Sequence, residues 1–280
     1  MSPIEMAQFV GIPVAVATVL VFLSWAMTTT NRREPMGAIV ALGIASFIAF
    51  VLQEGIPTLP PAQKWHWLIL SLFAVWALAC IYPCFKKWDE LIVLQAIIAG
   101  ILVSVLMQFP AQQDLLFRVL IFVMVLFVSL GLRRVAIPAW HMYLVVWMLL
   151  AGISILALQA NFAKLAFFTG AMSAVSAALC VLQLWKPRVT KSIQMVLGVI
   201  VVGSSMCGFA YDQGEAAQRM VWFLPLLSVP FSALAYLLLT KKKYGALVSL
   251  GTVVVFIAFA VLWSLYTTPI MDDEYARMVL

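Results

Sequence analysis

The stretch from Trp65 to Trp88, WHWLILSLFAVWALACIYPCFKKW, is one long apolar run. About 20 such residues cross the roughly 30 Å hydrocarbon core of a bilayer as a helix. Trp65 and Trp67 stand at one end and Trp88 at the other, where amphipathic rings prefer the membrane boundary. Lys86 and Lys87 mark one end as cytoplasmic. The rest of the chain repeats this pattern. Apolar runs of spanning length predict helices over about 8–28, 36–54, 65–85, 89–109, 114–132, 137–158, 163–185, 190–211, 219–240 and 245–266. The turns between them are short, so consecutive helices are expected to pack as antiparallel neighbours. The expected fold class is an all-α polytopic membrane protein of about ten transmembrane helices in one bundle, residues 1–280 forming a single domain.

Composition agrees. The chain is 65% hydrophobic and 10% charged, against roughly 45–50% and 25% for a soluble domain. A sequence pI near 9.3 raises the question of nucleic acid. The basic residues come as short groups between apolar runs, which excludes a nucleic-acid face and makes them topology signals. The N-terminus MSPIEMAQ carries Glu5 and no cation. A secretory signal opens on a basic segment, so the first helix reads as a retained span.

Charge placement tests the helix count. Arg32 and Arg33 fall in the first turn, Lys86 and Lys87 in the third, and Arg133 and Arg134 in the fifth. Lys186, Arg188 and Lys191 fall in the seventh, and Lys241, Lys242 and Lys243 in the ninth. Every odd turn is basic, which puts 12 of the 17 Lys and Arg on one side. The other side holds Glu5, Glu54, Asp114, Asp212, Glu215, Asp272, Asp273 and Glu274, eight of the 11 acids. The positive-inside rule then makes the basic side cytoplasmic and places both termini outside, in a multi-pass protein of the cell membrane, inner or plasma. Two halves of five helices have opposite orientation, which permits a 5+5 inverted arrangement. No clear internal match appears in the sequence.

Packing signals are local. Gly37, Ala41, Ala45 and Ala49 recur every fourth residue in the second helix. Gly170, Ala174 and Ala177 or Ala178 share a face in the seventh, and the eighth carries Gly198, Gly203, Ser204 and Gly208. Lipid supplies no hydrophobic drive between helices, so small residues that let backbones approach mark helix contacts. Cys80 and Cys84 stand four apart, but no neighbouring His completes a metal set, and they read as packed thiols. The two histidines, His66 and His141, fall on opposite sides. No cofactor is expected.

Two places could carry function. The ninth span reads FLPLLSVPFSAL, and Pro225 and Pro230 each remove a backbone donor. Ser228 and Ser232 are placed to satisfy the freed carbonyls. Interrupted helices mark binding sites in many transporters, while a static packing kink is the plainer reading. The second place is the acidic side, where Lys64, Arg118, Lys164 and Arg219 run against the charge rule. Asp114 stands four residues before Arg118, and Glu215 four before Arg219, at pairing distance on a helix. Glu54, His66 and Asp212 border the same layer, with Gln53, Gln108, Gln112, Gln113, Gln159 and Asn161. Such a mouth suits an anionic or zwitterionic head group; snorkelling side chains and solvated loop charges are the plainer reading. The loop EGIPTLPPAQKWHW from Glu54 to Trp67, stiffened by Pro57, Pro60 and Pro61, is expected to cover it as a lid.

No Asp, Glu, Lys, Arg or His falls at the middle of a span; Gln95, Ser104, Gln183 and Gln194 are the deepest polar residues. No catalytic motif and no extramembrane domain is evident, so an enzyme is not expected. The expected function is a compact transporter or lipid-head-group translocase for a small anionic or amphiphilic substrate. The alternative is a non-catalytic subunit of a larger membrane complex. Expected partners are membrane lipids and, in the alternative, other membrane subunits.

Overall fold

The computed structural model describes residues 3–27, 34–57, 61, 63–81, 92–107, 114–135, 139–185, 193–239 and 244–267. Eleven α-helices run in order: α1 Pro3–Met27, α2 Glu34–Glu54, α3 Trp67–Ile81, α4 Ile92–Leu106, α5 Leu115–Arg134, α6 Ala139–Gln159, α7 Ala163–Trp185, α8 Ile193–Tyr211, α9 Ala216–Arg219, α10 Phe223–Leu239 and α11 Gly245–Thr267. The four-residue α9 and a 3-10 turn, Met220–Trp222, lead into α10, so together they form the expected ninth span. The fold is an all-α polytopic bundle. Among the described residues nine helices are long and apolar enough to cross a membrane, and α4 is a shorter apolar helix.

The bundle is built around α8. Every residue from Ile193 to Gly208 is buried. Helices α2, α3, α4, α5, α10, α6 and α7 all pack against it, while α1 lies outside against α2 and α7, and α11 lies outside against α6 and α10. A helix enclosed on all sides needs close approach in several directions. Its three glycines are spaced by five residues, which turns successive positions by about 140°. A Cβ on Gly198 would meet Ser129 of α5, one on Gly203 would meet Leu68 and Met107, and one on Gly208 would enter the Trp222 ring. The small-residue stripe of α2 is buried throughout, from Gly37 to Ala49, and a Cβ at Gly37 would run into Ser24 of α1.

Contacts at the helix ends sort the turns onto two faces. On one, the acidic face, Glu54 at the end of α2 reaches His66 before α3 and Lys164 at the start of α7. Phe162 there meets Tyr211 at the end of α8, and Phe117 of α5 stacks on Phe209. On the basic face, His141 of α6 meets the carbonyls of Val135 and Ala246, and Cys180 of α7 donates to that of Trp140. The helix ends joined by these contacts thus sort to two ends of the bundle, in keeping with the charge alternation. The basic turns at 28–33, 82–91, 186–192 and 240–243, and the tail from 268, lie outside the described residues.

The two five-helix halves share some relations. The pairs α1–α2 and α6–α7 correspond, as do α4–α5 and α10–α11, and α2–α7 and α3–α8 contacts map onto themselves. The halves differ at the centre: α8 is enclosed, while its counterpart α3 is a member of the surrounding ring.

Candidate functional site

The acidic face holds the main ionic cluster. Gly55 ends α2 with a left-handed φ of 78°, its N–H returning to the Val51 carbonyl at 2.9 Å. Asn161 ends α6 likewise at φ 55°. The Phe162 N–H reaches the Ala157 carbonyl and the Asn161 N–H that of Leu158, a tight turn that starts α7 at once. These two terminations bring Lys164 Nζ within 2.7 Å of Glu54 Oε1. The second oxygen of Glu54 lies 3.3 Å from His66 Nε2. Gln53 Nε2 adds a bond of 2.7 Å to the Lys164 carbonyl. Glu54 at a helix C-terminus and Lys164 at a helix N-terminus each oppose their own helix dipole. Their pairing offsets both. The Glu54 side chain is 8% exposed and that of Lys164 46%, so the carboxylate depends on the pair more than the ammonium does.

An aromatic layer lies beneath. Phe50 meets Trp65 at 5.3 Å and His66 at 5.0 Å, and Phe162 meets Trp65 at 6.2 Å. Trp65 and His66 are buried, so this part of the expected lid is inserted into the bundle. The flat, partly apolar rings bury area there that an exposed lid would leave wet. Residues 58–60 and 62 of that loop lie outside the description.

The remaining acidic-face residues form two further groups. Asp212 accepts from Trp222 Nε1 and from the Gly214 N–H, both at 2.8 Å. Arg219 donates through Nε and Nη2 to the Phe209 carbonyl at 3.0 and 2.8 Å, and lies 4.5 Å from the Phe209 ring centre. The expected Glu215–Arg219 pair is therefore replaced: the last carbonyls of α8 lack helical partners and offer a partly buried acceptor, whereas Glu215 is exposed. Asp114 caps α5, accepting from the Leu116 N–H at 3.1 Å. Arg118 is exposed on the next turn. Lys164 and Arg219, two of the four cations of this face, are thus committed to protein acceptors. Gln108, Gln112 and Gln113 lie outside the described residues.

Helix α10 runs unbroken through Pro225 and Pro230, and the irregularity in this span, the 3-10 turn Met220–Trp222, falls just before it. Pro225 falls in the first turn of α10, where a missing N–H costs little, and the helix continues through Pro230. Ser228 Oγ donates to the Pro225 carbonyl at 2.7 Å, and Ser232 Oγ lies 2.6 Å from Ser249 Oγ of α11, so neither hydroxyl serves a carbonyl freed by proline. Gly131 of α5 makes the room: a Cβ there would meet Val229 at 2.8 Å and the Pro230 nitrogen at 3.6 Å. The prolines shape a helix contact.

Along α8 the balance is different. Ser204 Oγ, Ser205 Oγ and Gln194 Nε2 are buried without hydrogen-bond partners among the described residues. So are Ser129 Oγ and Arg133 Nη1 of α5. Arg133 reads from the sequence only as a topology signal. The distinguishing signal was its place four residues beyond Ser129 on one helix face, and the sequence alone does not say that this face meets α8.

No family model matches the chain, and no curated protein or solved structure matches it. The fold and its two faces therefore define the class, a multi-pass helical membrane bundle, and function is argued from the chain itself.

Proposed function

We propose that the protein is a compact transporter or lipid-head-group translocase for a small anionic or amphiphilic substrate. The observation that supports this reading is a set of buried polar atoms on the enclosed helix α8, at Gln194, Ser204 and Ser205, that have no hydrogen-bond partner among the described residues. Each unmade hydrogen bond in a dry interior costs about 1–3 kcal/mol. A helix that served packing alone would be better with Ala at these positions. Groups kept at that cost serve water or solute in another state of the bundle. The Glu54–Lys164–His66 cluster ties α2, α7 and the approach to α3 together at the acidic end, in the manner of a closed gate. The proposed orientation puts the basic face in the cytoplasm and the termini outside, in an inner or plasma membrane.

Thiol accessibility tests this. Ser204→Cys is placed in a protein whose four native cysteines are replaced by alanine, and membranes are treated with a small, impermeant methanethiosulfonate cation. The reading expects slow modification from one side, faster when Glu54→Gln opens the acidic end. A thiol that reacts from neither side in either background overturns it and favours the subunit of a larger membrane complex.

A further inference from the structure

We infer that the basic end of α8 is a binding site for a small oxyanion, formed by Arg133, Ser129 and Gln194; this deepens the transport reading by naming where an anionic substrate is held. Ser129 fixes the register. A Cβ on Gly198 would lie 2.5 Å from Ser129 Oγ and 3.4 Å from its Cα, so α5 and α8 touch at this level. The two helices run antiparallel. One further turn toward the basic face, about 6 Å along each axis, reaches Arg133 on α5 and Gln194 on α8. Positions four apart share a helix face, so both residues stay in the α5–α8 contact.

The chemistry of the three is one-sided. Arg133 Nη1, Gln194 Nε2 and Ser129 Oγ all carry hydrogens to donate, and all are buried without a partner among the described residues. Gln194 and Ser129 are each only 2% exposed. This end of α8 is also its N-terminal end, where the helix dipole is positive. A cation, an amide donor, a hydroxyl and a positive dipole converge here, and the three donor atoms have no acceptor among the described residues. A tetrahedral or planar oxyanion, phosphate or carboxylate, provides several acceptors at once, and guanidinium binds both well. A cationic or purely apolar solute would leave every donor unmet. The acidic face, by contrast, has two of its cations already engaged.

The test uses the full chain in dodecyl maltoside, a detergent without phosphate, and follows thermal melting. Inorganic phosphate is titrated in one arm and phosphatidic acid in another, with choline as a cationic control. Phosphate at ten times its Kd is expected to raise the melting temperature by roughly 3–5 °C, and choline is not. Arg133→Met and Gln194→Leu are expected to abolish the shift. Their unliganded forms should melt no lower than the parent, because each removes an unpaired buried donor; this keeps the test clear of simple misfolding. A response to phosphate assigns a soluble anion and a response to phosphatidic acid alone assigns a lipid head group, and either, lost in Arg133→Met, supports the site. No response in either arm, or a shift that survives both substitutions, overturns it. Because the readout is binding, the site can fail while Ser204 proves accessible, and the reverse.

Discussion

Glu54 and Lys164 offer an asymmetric pair, and the asymmetry can be measured. Lys164→Met leaves a carboxylate that is 8% exposed, with His66 at 3.3 Å as its remaining partner. Breaking a buried ion pair from that side costs about 3 kcal/mol, because a charge is stranded away from water. Glu54→Gln leaves an ammonium whose side chain is 46% exposed and can turn to solvent. Its cost is about 1–1.5 kcal/mol, the lost charge-assisted bond with little desolvation left over. The double variant strands nothing and is expected near the milder single change, so the two effects couple by about 3 kcal/mol. Melting of purified protein in detergent gives the order: parent, Glu54→Gln, the double variant close beside it, and Lys164→Met clearly lowest. If Glu54→Gln melts at or below Lys164→Met, or the two changes simply add, the cluster is not a buried carboxylate held by Lys164, and the gate built on it goes too.

Three further outcomes are expected. Gly208→Ala pushes a methyl into the Trp222 ring and Gly203→Ala one into Leu68 and Met107, costing about 1–3 kcal/mol each by overpacking, while Gly251→Ala meets open space and should melt at or above the parent. Ala45→Leu, at a fully buried position, should lower melting by a similar energy, and Val255→Leu on the exposed side of α11 should not; equal melting would place the α2 stripe against lipid. Pro230→Ala returns a donor to the interior of α10 and should stabilise by about 1–3 kcal/mol, whereas Pro225→Ala in the first turn should change melting little, and the opposite order would show that the helix really starts after Pro225.

The number of helices and their alternation were written into the sequence, because the bilayer sets one length for a span and the positive-inside rule repeats at every other turn. Trp65–Trp88 and its neighbours declare themselves by local composition, which needs no knowledge of the fold. The buried α2 stripe was legible for the same reason: small residues four apart must share a face. The Glu215–Arg219 spacing was equally legible and less informative, since a helix offers i and i+4 pairing to charges that then find better acceptors, as Arg219 does at the Phe209 carbonyl. Proline positions say that donors are missing but not which turn of the helix they fall in, and the start of α10 made Pro225 inexpensive. Which helix sits at the centre was decided only in three dimensions. The glycines of α8 are spaced by five and make no stripe, so they read as scattered until Ser129, Leu68 and Trp222 arrive from different sides. Lys164 meets Glu54 across 110 residues of chain for the same reason. Gly198 meets Ser129 because α5 and α8 pack in one register, and register is a property of packed surfaces that no single helix carries in its own sequence.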